Sequence, residues 1–251
     1  MRRSRVVPSL SKERAGTTCS SIVPAAGRSR RARTTASKLL ARLGNQPLLW
    51  YSLQALERCG VIGEVVVVAR KEEAAAIRGL CRRARLRKVR VTSPGGATRQ
   101  ESVWVGLLAT DAGADLIAVH DAARPFLAAE VLERCVREAA RRGAAIAAAP
   151  CGDTLKATNG RTISRTLKRE GVWLAQTPQV FRRELLLKAH RRARRYGYTA
   201  TDDAELVQRL GHEVRVVPSS SLNLKVTTPA DLEMAGLLAR DGARLRELLG
   251  W

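Results

Sequence analysis

The chain is short of aromatic residues, of acids and of long apolar runs, and these shortages narrow what it can do. Phe, Tyr and Trp make up 4% of 251 residues. None is interleaved with the arginine clusters, so a nucleic-acid reader built on base stacking lacks its platforms. No apolar run approaches the ~18 residues that a membrane span needs, and no membrane partner is expected. The cysteines, Cys19, Cys59, Cys81, Cys135 and Cys151, form no CxxC pair and leave one over. That pattern fits reduced thiols in a cytoplasmic protein better than a disulfide framework. His120, His190 and His212 are too scattered to suggest a zinc site. The stretch "AAGRSRR" lacks GxGxxG and no GK[ST] follows it, which disfavours a dinucleotide-binding dehydrogenase and a P-loop.

What the chain has in excess is positive charge. Lys and Arg number 45 against 23 Asp and Glu, a formal +22. A field of that sign attracts phosphates, nucleic acid or an anionic surface without saying which. The excess is mostly Arg in an Ala- and Leu-rich chain, so a GC-rich genome is a competing explanation for it. With 45% apolar residues the chain can bury a sizeable core. Residues 1–18 are expected to be a disordered basic extension, and 19–251 a single domain.

Short β-branched or apolar runs at 21–25, 64–69, 89–92, 116–120, 144–149 and 213–217 predict strands. Helical spacing predicts helices over 47–58, 71–83, 97–109, 128–142, 182–196, 202–210 and 229–249. The last has a clear start, with Thr228 as cap, Pro229 at the first helical position and Asp231 in the first turn. This alternation is that of an α/β protein, a mostly parallel sheet with helices on both faces. Residues 151–173 break it. They are polar and carry a hairpin signal at Asn159-Gly160, which predicts a projecting two-stranded arm. A lone hairpin is marginal in water, and a second copy of the chain is the simplest thing for it to pack on.

Ligands of open parallel sheets gather beyond the carboxyl ends of the strands. The segments there are rich in phosphate-binding residue types. After the first strand comes Gly27 with a basic loop; after the third, Gly95-Gly96, then Arg99 and Ser102; after the fourth, His120 to Pro125. Gly27 lets backbone N–H groups approach a phosphate closely, and the Arg and Lys that follow neutralise its charge.

The stretches "VPAAGRSRRARTTASK", "PGGATRQESV", "VHDAARP", "DTLK", "TPQVF", "TDDAELV" and "LNLKVTTPADL" resemble, in order, the motif series of the 2-C-methyl-D-erythritol 4-phosphate cytidylyltransferase family. The resemblance covers the chain from about Ser20 to about Ala239. It implies a Rossmann-like nucleotidyltransferase that joins CTP to methylerythritol phosphate in non-mevalonate isoprenoid biosynthesis, releasing pyrophosphate, with Mg²⁺ as cofactor.

Roles carry over by the same resemblance. Arg31 and Lys38 take the places that stabilise the transition state on the triphosphate, and Arg169 and Lys225 those that position the acceptor. Pro24, Ala25, Ala26, Gly27, Gly95, Gly96, Ser102, Asp121 and Ala122 fall in the nucleotide site, with Asp121 also the candidate metal ligand. Arg124, Thr154, Arg169, Thr177, Thr201 and Lys225 fall among the substrate contacts. The family's arm enters the neighbouring subunit, which implies a homodimer with arm exchange. The basic loop departs from the family pattern, with Ser29 in place of a second glycine and Ser37-Lys38-Leu39 in place of a Pro-Lys-Gln run. Lys38 nevertheless keeps the family's spacing of seven from Arg31. A cytidylyltransferase for another polyol phosphate, such as ribitol 5-phosphate, is the alternative, and no specific nucleic-acid partner is expected.

Overall fold

A computed structural model describes residues 17–27 and 38–250. The basic extension up to residue 16 and the loop residues 28–37, with Ser29 and Arg31, lie outside the described residues. Thr18 belongs to the folded domain, since its amide donates to Asp115 Oδ2 at 3.0 Å.

In chain order the elements are β1 (Cys19–Pro24), a 3₁₀ turn (Lys38–Leu40), β2 (Arg42–Leu43), β3 (Gln46–Pro47), α1 (Leu48–Arg58), β4 (Ile62–Val68), α2 (Lys71–Arg83) and β5 (Val89–Thr92). Then follow α3 (Arg99–Ala109), β6 (Leu116–Val119), α4 (Ala129–Arg142), β7 (Ala144–Pro150), β8 (Leu155–Asn159), β9 (Thr162–Leu167) and β10 (Trp173–Arg182). The chain closes with α5 (Arg183–Tyr196), α6 (Asp203–Gln208), β11 (Arg215–Pro218), α7 (Pro229–Arg240) and α8 (Gly242–Leu249).

Seven strands form the central sheet in the order β11-β7-β10-β6-β1-β4-β5. All run parallel except β10, which pairs antiparallel with both β6 and β7. Side chains alternate across the sheet as strand geometry requires. In β4, Val65 and Val67 join the core with α1, α2 and α4, whereas Val66 and Val68 join the core with α3, α5 and α6. After β5 the chain crosses back over β1 to build β6. The crevice between the carboxyl ends of β1 and β6 is therefore the topological switch point.

All six predicted strands and every predicted helix are present, with boundaries moved by a few residues. Three features were not foreseen. First, β10 fills the stretch between the arm and the helix over 182–196, where the sequence pattern predicts no element. Between Ala175, opposite Ala148, and Gln179, opposite Ile146, its register slips, so Gln176, Thr177 and Pro178 face the single residue Ala147 in a bulge. Second, Gly44 and Asn45 turn the small β2–β3 hairpin, with Gly44 at φ +59°. Third, the last helix breaks at Asp241, whose Oδ1 accepts the amide of Arg244 at 2.9 Å and caps α8.

One reading of the aromatic residues is corrected. Tyr196 sits under both Arg192 and Arg195, at 5.7 and 5.6 Å from its ring centroid, and Arg194 stands over Trp104 at 5.3 Å. Arg192 and Tyr196 are helical neighbours four apart, and Trp104 arrives from α3, so rings do lie among the arginines.

Candidate active site

The end of β1 and the loop after β5 are packed into one another. Ala25 N–H donates to the Val68 carbonyl at 2.8 Å, and Gly95 N–H to the Ala69 carbonyl at 2.9 Å. A Cβ on Gly95 would stand 2.3 Å from the Ala26 Cβ, and one on Gly96 would stand 2.2 Å from the Glu101 Cβ. Both positions admit only glycine at this approach. Thr98 and Glu101 then form a capping box that starts α3. Ser102 is buried in its first turn, with its hydroxyl donating to the Thr98 carbonyl at 2.9 Å. Pro24, Ala25, Ala26, Gly27, Gly95, Gly96 and Ser102 thus share one edge of the sheet.

Across the switch point β6 ends in His120-Asp121-Ala122-Ala123-Arg124. Thr177, from the β10 bulge, holds this turn. Its hydroxyl accepts the Asp121 amide at 3.0 Å and lies 3.1 Å from His120 Nδ1. His120 Nε2 faces the Arg124 carbonyl at 3.1 Å. A carbonyl can only accept, so the proton is on Nε2 and Nδ1 accepts from Thr177. Burial keeps this imidazole neutral, with its pKa pushed down to about 4.

Asp121 is the hub of the site. Lys225 Nζ lies 2.7 Å from its Oδ2, Arg99 Nε 3.0 Å from its Oδ1, and Arg124 Nε 3.9 Å from Oδ2. Burial opposes ionisation of this carboxyl, but Arg99 and then Lys225 outweigh it and hold the group far below the ordinary carboxylate range. Lys38 completes the cluster. Its Nζ donates to the Val226 carbonyl at 2.9 Å. Partial burial and the charge of Lys225 lower its pKa, against the pull of Asp121 and Asp231. The segment carrying Lys225 is fixed at several points. Val226 N–H donates to the Ala123 carbonyl at 2.8 Å, Arg124 to the Asn223 carbonyl at 2.6 Å, and Asn223 Nδ2 to the Thr177 carbonyl at 2.8 Å.

The structure therefore brings together Lys38, Asp121, Ala122, Arg124, Thr177 and Lys225. Thr201 stands apart. It is exposed, and its hydroxyl donates to Glu205 Oε2 at 3.1 Å, next to the Asp202 cap of α6. Thr154 and Arg169 are exposed at the base of the arm, where the Arg169 guanidinium donates to the Gly152 carbonyl. Among the described residues, neither of the two bonds to the Asp121 cluster. Arg31 lies outside the described residues.

Two partners of the cluster lie in motif stretches but receive no site role from the sequence, Arg99 only being noted after the third strand. Arg99 Nη1 reaches Asp203 Oδ2 at 2.7 Å, so one guanidinium spans two buried carboxylates. Asn223 sits in the "LNLKV" stretch with no charge to mark it. The described cysteines are free, and burial pushes the Cys19 and Cys135 thiols up to about 12. A cationic cleft with one carboxylate suits a displacement between two phosphorylated molecules, which needs positioning and charge more than a covalent nucleophile.

A profile of the family described as 2-C-methyl-D-erythritol 4-phosphate cytidylyltransferase matches residues 19–241. The protein of that name from Pelotomaculum thermopropionicum is 43% identical over 233 residues, 91% of this chain and 98% of its own. The one from Shouchella clausii is 40% identical over 214 residues, 85% of this chain and 93% of its own. Among solved structures, the 2-C-methyl-D-erythritol 4-phosphate cytidylyltransferase of Thermus thermophilus aligns with a TM-score of 0.76 at 37% identity, covering 89% of this chain and 99% of that one.

Proposed function

The chain belongs to the 2-C-methyl-D-erythritol 4-phosphate cytidylyltransferase family, and from that premise we propose that it transfers the cytidylyl group of CTP to 2-C-methyl-D-erythritol 4-phosphate in isoprenoid precursor biosynthesis. The acceptor's phosphate oxygen forms a bond to the α-phosphorus of CTP, the bond from that phosphorus to the β-phosphate bridge breaks, and pyrophosphate leaves with the electron pair. The observation that carries this reading is the meeting of Lys38, Lys225 and Arg124 around Asp121 at the switch point. Two anions must approach while a third departs, and these cations offset the repulsion.

Lys38, with Arg31, acts on the triphosphate as charge moves to the leaving group. Lys225, only half-buried and on a flexible stem, turns toward the acceptor phosphate. The Gly95-Gly96 loop and the end of β1 form the cytosine side, where backbone groups read the base edge.

Among the described residues no group of three His, Cys, Asp or Glu side chains is placed to hold a metal ion. A Mg²⁺ ion carried mainly by substrate phosphates needs only one or two protein carboxylates, and Asp121 is the carboxylate that fits. The ion would supply neutralisation of triphosphate charge.

Arg169 and Thr154 complete the site from a second copy. Every residue of β9 is exposed, and Ile163 is 59% accessible. A two-stranded ribbon with no cover of its own gains it by packing on a partner, so we assign a homodimer with exchanged arms. Buried free thiols and the absence, among the described residues, of a helix long and apolar enough to cross a membrane support a cytoplasmic enzyme.

The test is a pyrophosphate-release assay with CTP, Mg²⁺ and either acceptor. Methylerythritol phosphate should be turned over and ribitol 5-phosphate should be a poor acceptor. The reverse preference would overturn the assignment of substrate.

A further inference from the structure

We infer that Arg99 is a positioning residue for the transfer, holding the Asp121 carboxylate in place so that Lys225 can leave it for a substrate phosphate. This rests on the cytidylyltransferase reading.

The geometry of the three side chains separates their tasks. The Asp121 side chain is 10% exposed and that of Lys225 42%. The ammonium is thus the reachable member of the pair, and its three donors on a flexible stem can exchange one oxygen for another. Arg99 is held at both ends. It starts α3 beside the Thr98 cap, and its guanidinium divides between Asp121 Oδ1 at 3.0 Å and Asp203 Oδ2 at 2.7 Å. A planar guanidinium suits such a fixed bridge between two carboxylates.

Asp203 is itself anchored. Its side chain is 1% exposed, its Oδ1 lies 3.1 Å from His190 Nε2, and its amide donates to Gln179 Oε1 at 3.1 Å. Gln179 in turn donates to Asp202 Oδ2 at 2.8 Å. A rigid line therefore runs from α5 and α6 through Arg99 to the hub of the site.

Lys225 has a competing claim on it. A buried carboxylate stripped of its close cation is strongly disfavoured. Without Arg99, Asp121 would depend on Lys225 and on an Arg124 nitrogen 3.9 Å away. Lys225 would then be retained on Asp121 and withheld from the incoming phosphate. With Arg99 in place the carboxylate keeps a partner at Oδ1 throughout, and the ammonium is free to move.

The experiment is a kinetic double-mutant cycle on the full chain, with melting temperature measured for each variant. Once the wild type is seen to release pyrophosphate, Arg99→Gln should lower kcat about 100-fold, the scale of a misplaced catalytic group, and raise KM for the acceptor more than KM for CTP. Arg99→Lys should recover to within about tenfold of wild type by restoring the charge. In a Lys225→Ala background, Arg99→Gln should cost less than about threefold more, since paired residues are not additive.

Asp203→Asn, which keeps the shape of the anchor, should reduce kcat in the same non-additive way and serves if Arg99→Gln fails to fold. A kcat within threefold of wild type in the folded Arg99→Gln protein overturns the inference. So does full multiplication of its loss onto Lys225→Ala, or wild-type kinetics in Asp203→Asn. A wild type inactive with both CTP and methylerythritol phosphate would instead bring down the enzymatic reading beneath it.

Discussion

Lys38 is bonded to the stretch of backbone that carries Lys225. Lys38 Nζ donates to the carbonyl of Val226 at 2.9 Å, and Lys225, one residue earlier, lies 2.7 Å from Asp121 Oδ2. Two cations separated by 187 positions thus face one cleft, with the first partly buried and the second more open. On the reading proposed above, one charge serves the nucleotide and the other the acceptor.

Removing Lys38 tests the first of these charges. Lys38→Ala should lower kcat by about 10² to 10³, the cost of deleting one preorganised donor at a developing anion. The segment it bonds to is also held by Val226 N–H on Ala123 and by Asn223 on Thr177, so the circular dichroism spectrum should stay close to wild type, while the unpaired Val226 carbonyl should lower the melting temperature by roughly a few degrees. An unchanged kcat in folded protein would remove Lys38 from the mechanism.

Thr177 was expected to touch substrate, and the structure gives its hydroxyl two partners inside the protein, the Asp121 amide and His120 Nδ1. Thr177→Val strands a buried amide donor, which costs about 1 to 3 kcal/mol. For a domain of this size that is a fall in melting temperature of about 2 to 12 °C. Thr177→Ser keeps the hydroxyl and should restore most of the loss. A Thr177→Val protein of normal melting temperature but raised acceptor KM would assign the hydroxyl to the substrate instead.

The same residue shows where the sequence was legible and where it was not. The inner parallel strands β1, β4, β6 and β7 announce themselves as apolar runs because both their faces are covered, and the Thr228-Pro229 start of α7 is local chemistry. The strand β10 is hidden because Gln176, Thr177, Pro178 and Gln179 fill four of its six buried positions, leaving only Val180 and Phe181 as an apolar signal. Those polar residues are inside because they bond to Asn223, His120 and Asp203, partners known only once the chain is folded. Asp121 and Lys225 could be read from motif stretches. The link from Arg99 to Asp203 spans 104 positions, with no pattern joining its ends. The arginines around Tyr196 were visible in sequence as charge, but their stacking on the ring follows from the helical turn that brings Arg192 over it.

Cysteine chemistry gives a prediction independent of catalysis. Cys135 is fully buried, and burial pushes its thiol from 9.0 up to about 12, slightly offset by Arg134. In the unfolded chain the thiol ionises near pH 9, whereas in the folded protein it stays protonated until about pH 12. Its contribution to stability is therefore complete below pH 9 and is lost as pH rises through that window. Urea midpoints should fall between pH 9 and 12, and Cys135→Ala should flatten part of that slope. At pH 8 a thiol reagent should modify Cys151 alone in native protein, since the other four are buried. Rapid reaction of several thiols without denaturant would contradict the packing around them.

The arm provides the sharpest test of assembly. Thr154 and Arg169 stand at the base of β8 and β9, exposed and unattached to the Asp121 cluster of their own chain. If arms are exchanged, each active site combines the cleft of one copy with the arm of the other. Lys38→Ala damages the cleft and Arg169→Ala the arm, so each homodimer has two defective sites. In a mixed dimer both defects fall in the same site, and the other site is intact. Random mixing makes half of the dimers mixed, each with half of its sites restored, so about a quarter of wild-type turnover should return under two-fold assembly. If Arg169 instead serves its own chain, each site of a mixed dimer carries one defect and mixing restores nothing. Pyrophosphate release before and after co-refolding of the two inactive variants distinguishes the two arrangements, and a monomer in analytical ultracentrifugation would exclude exchange altogether.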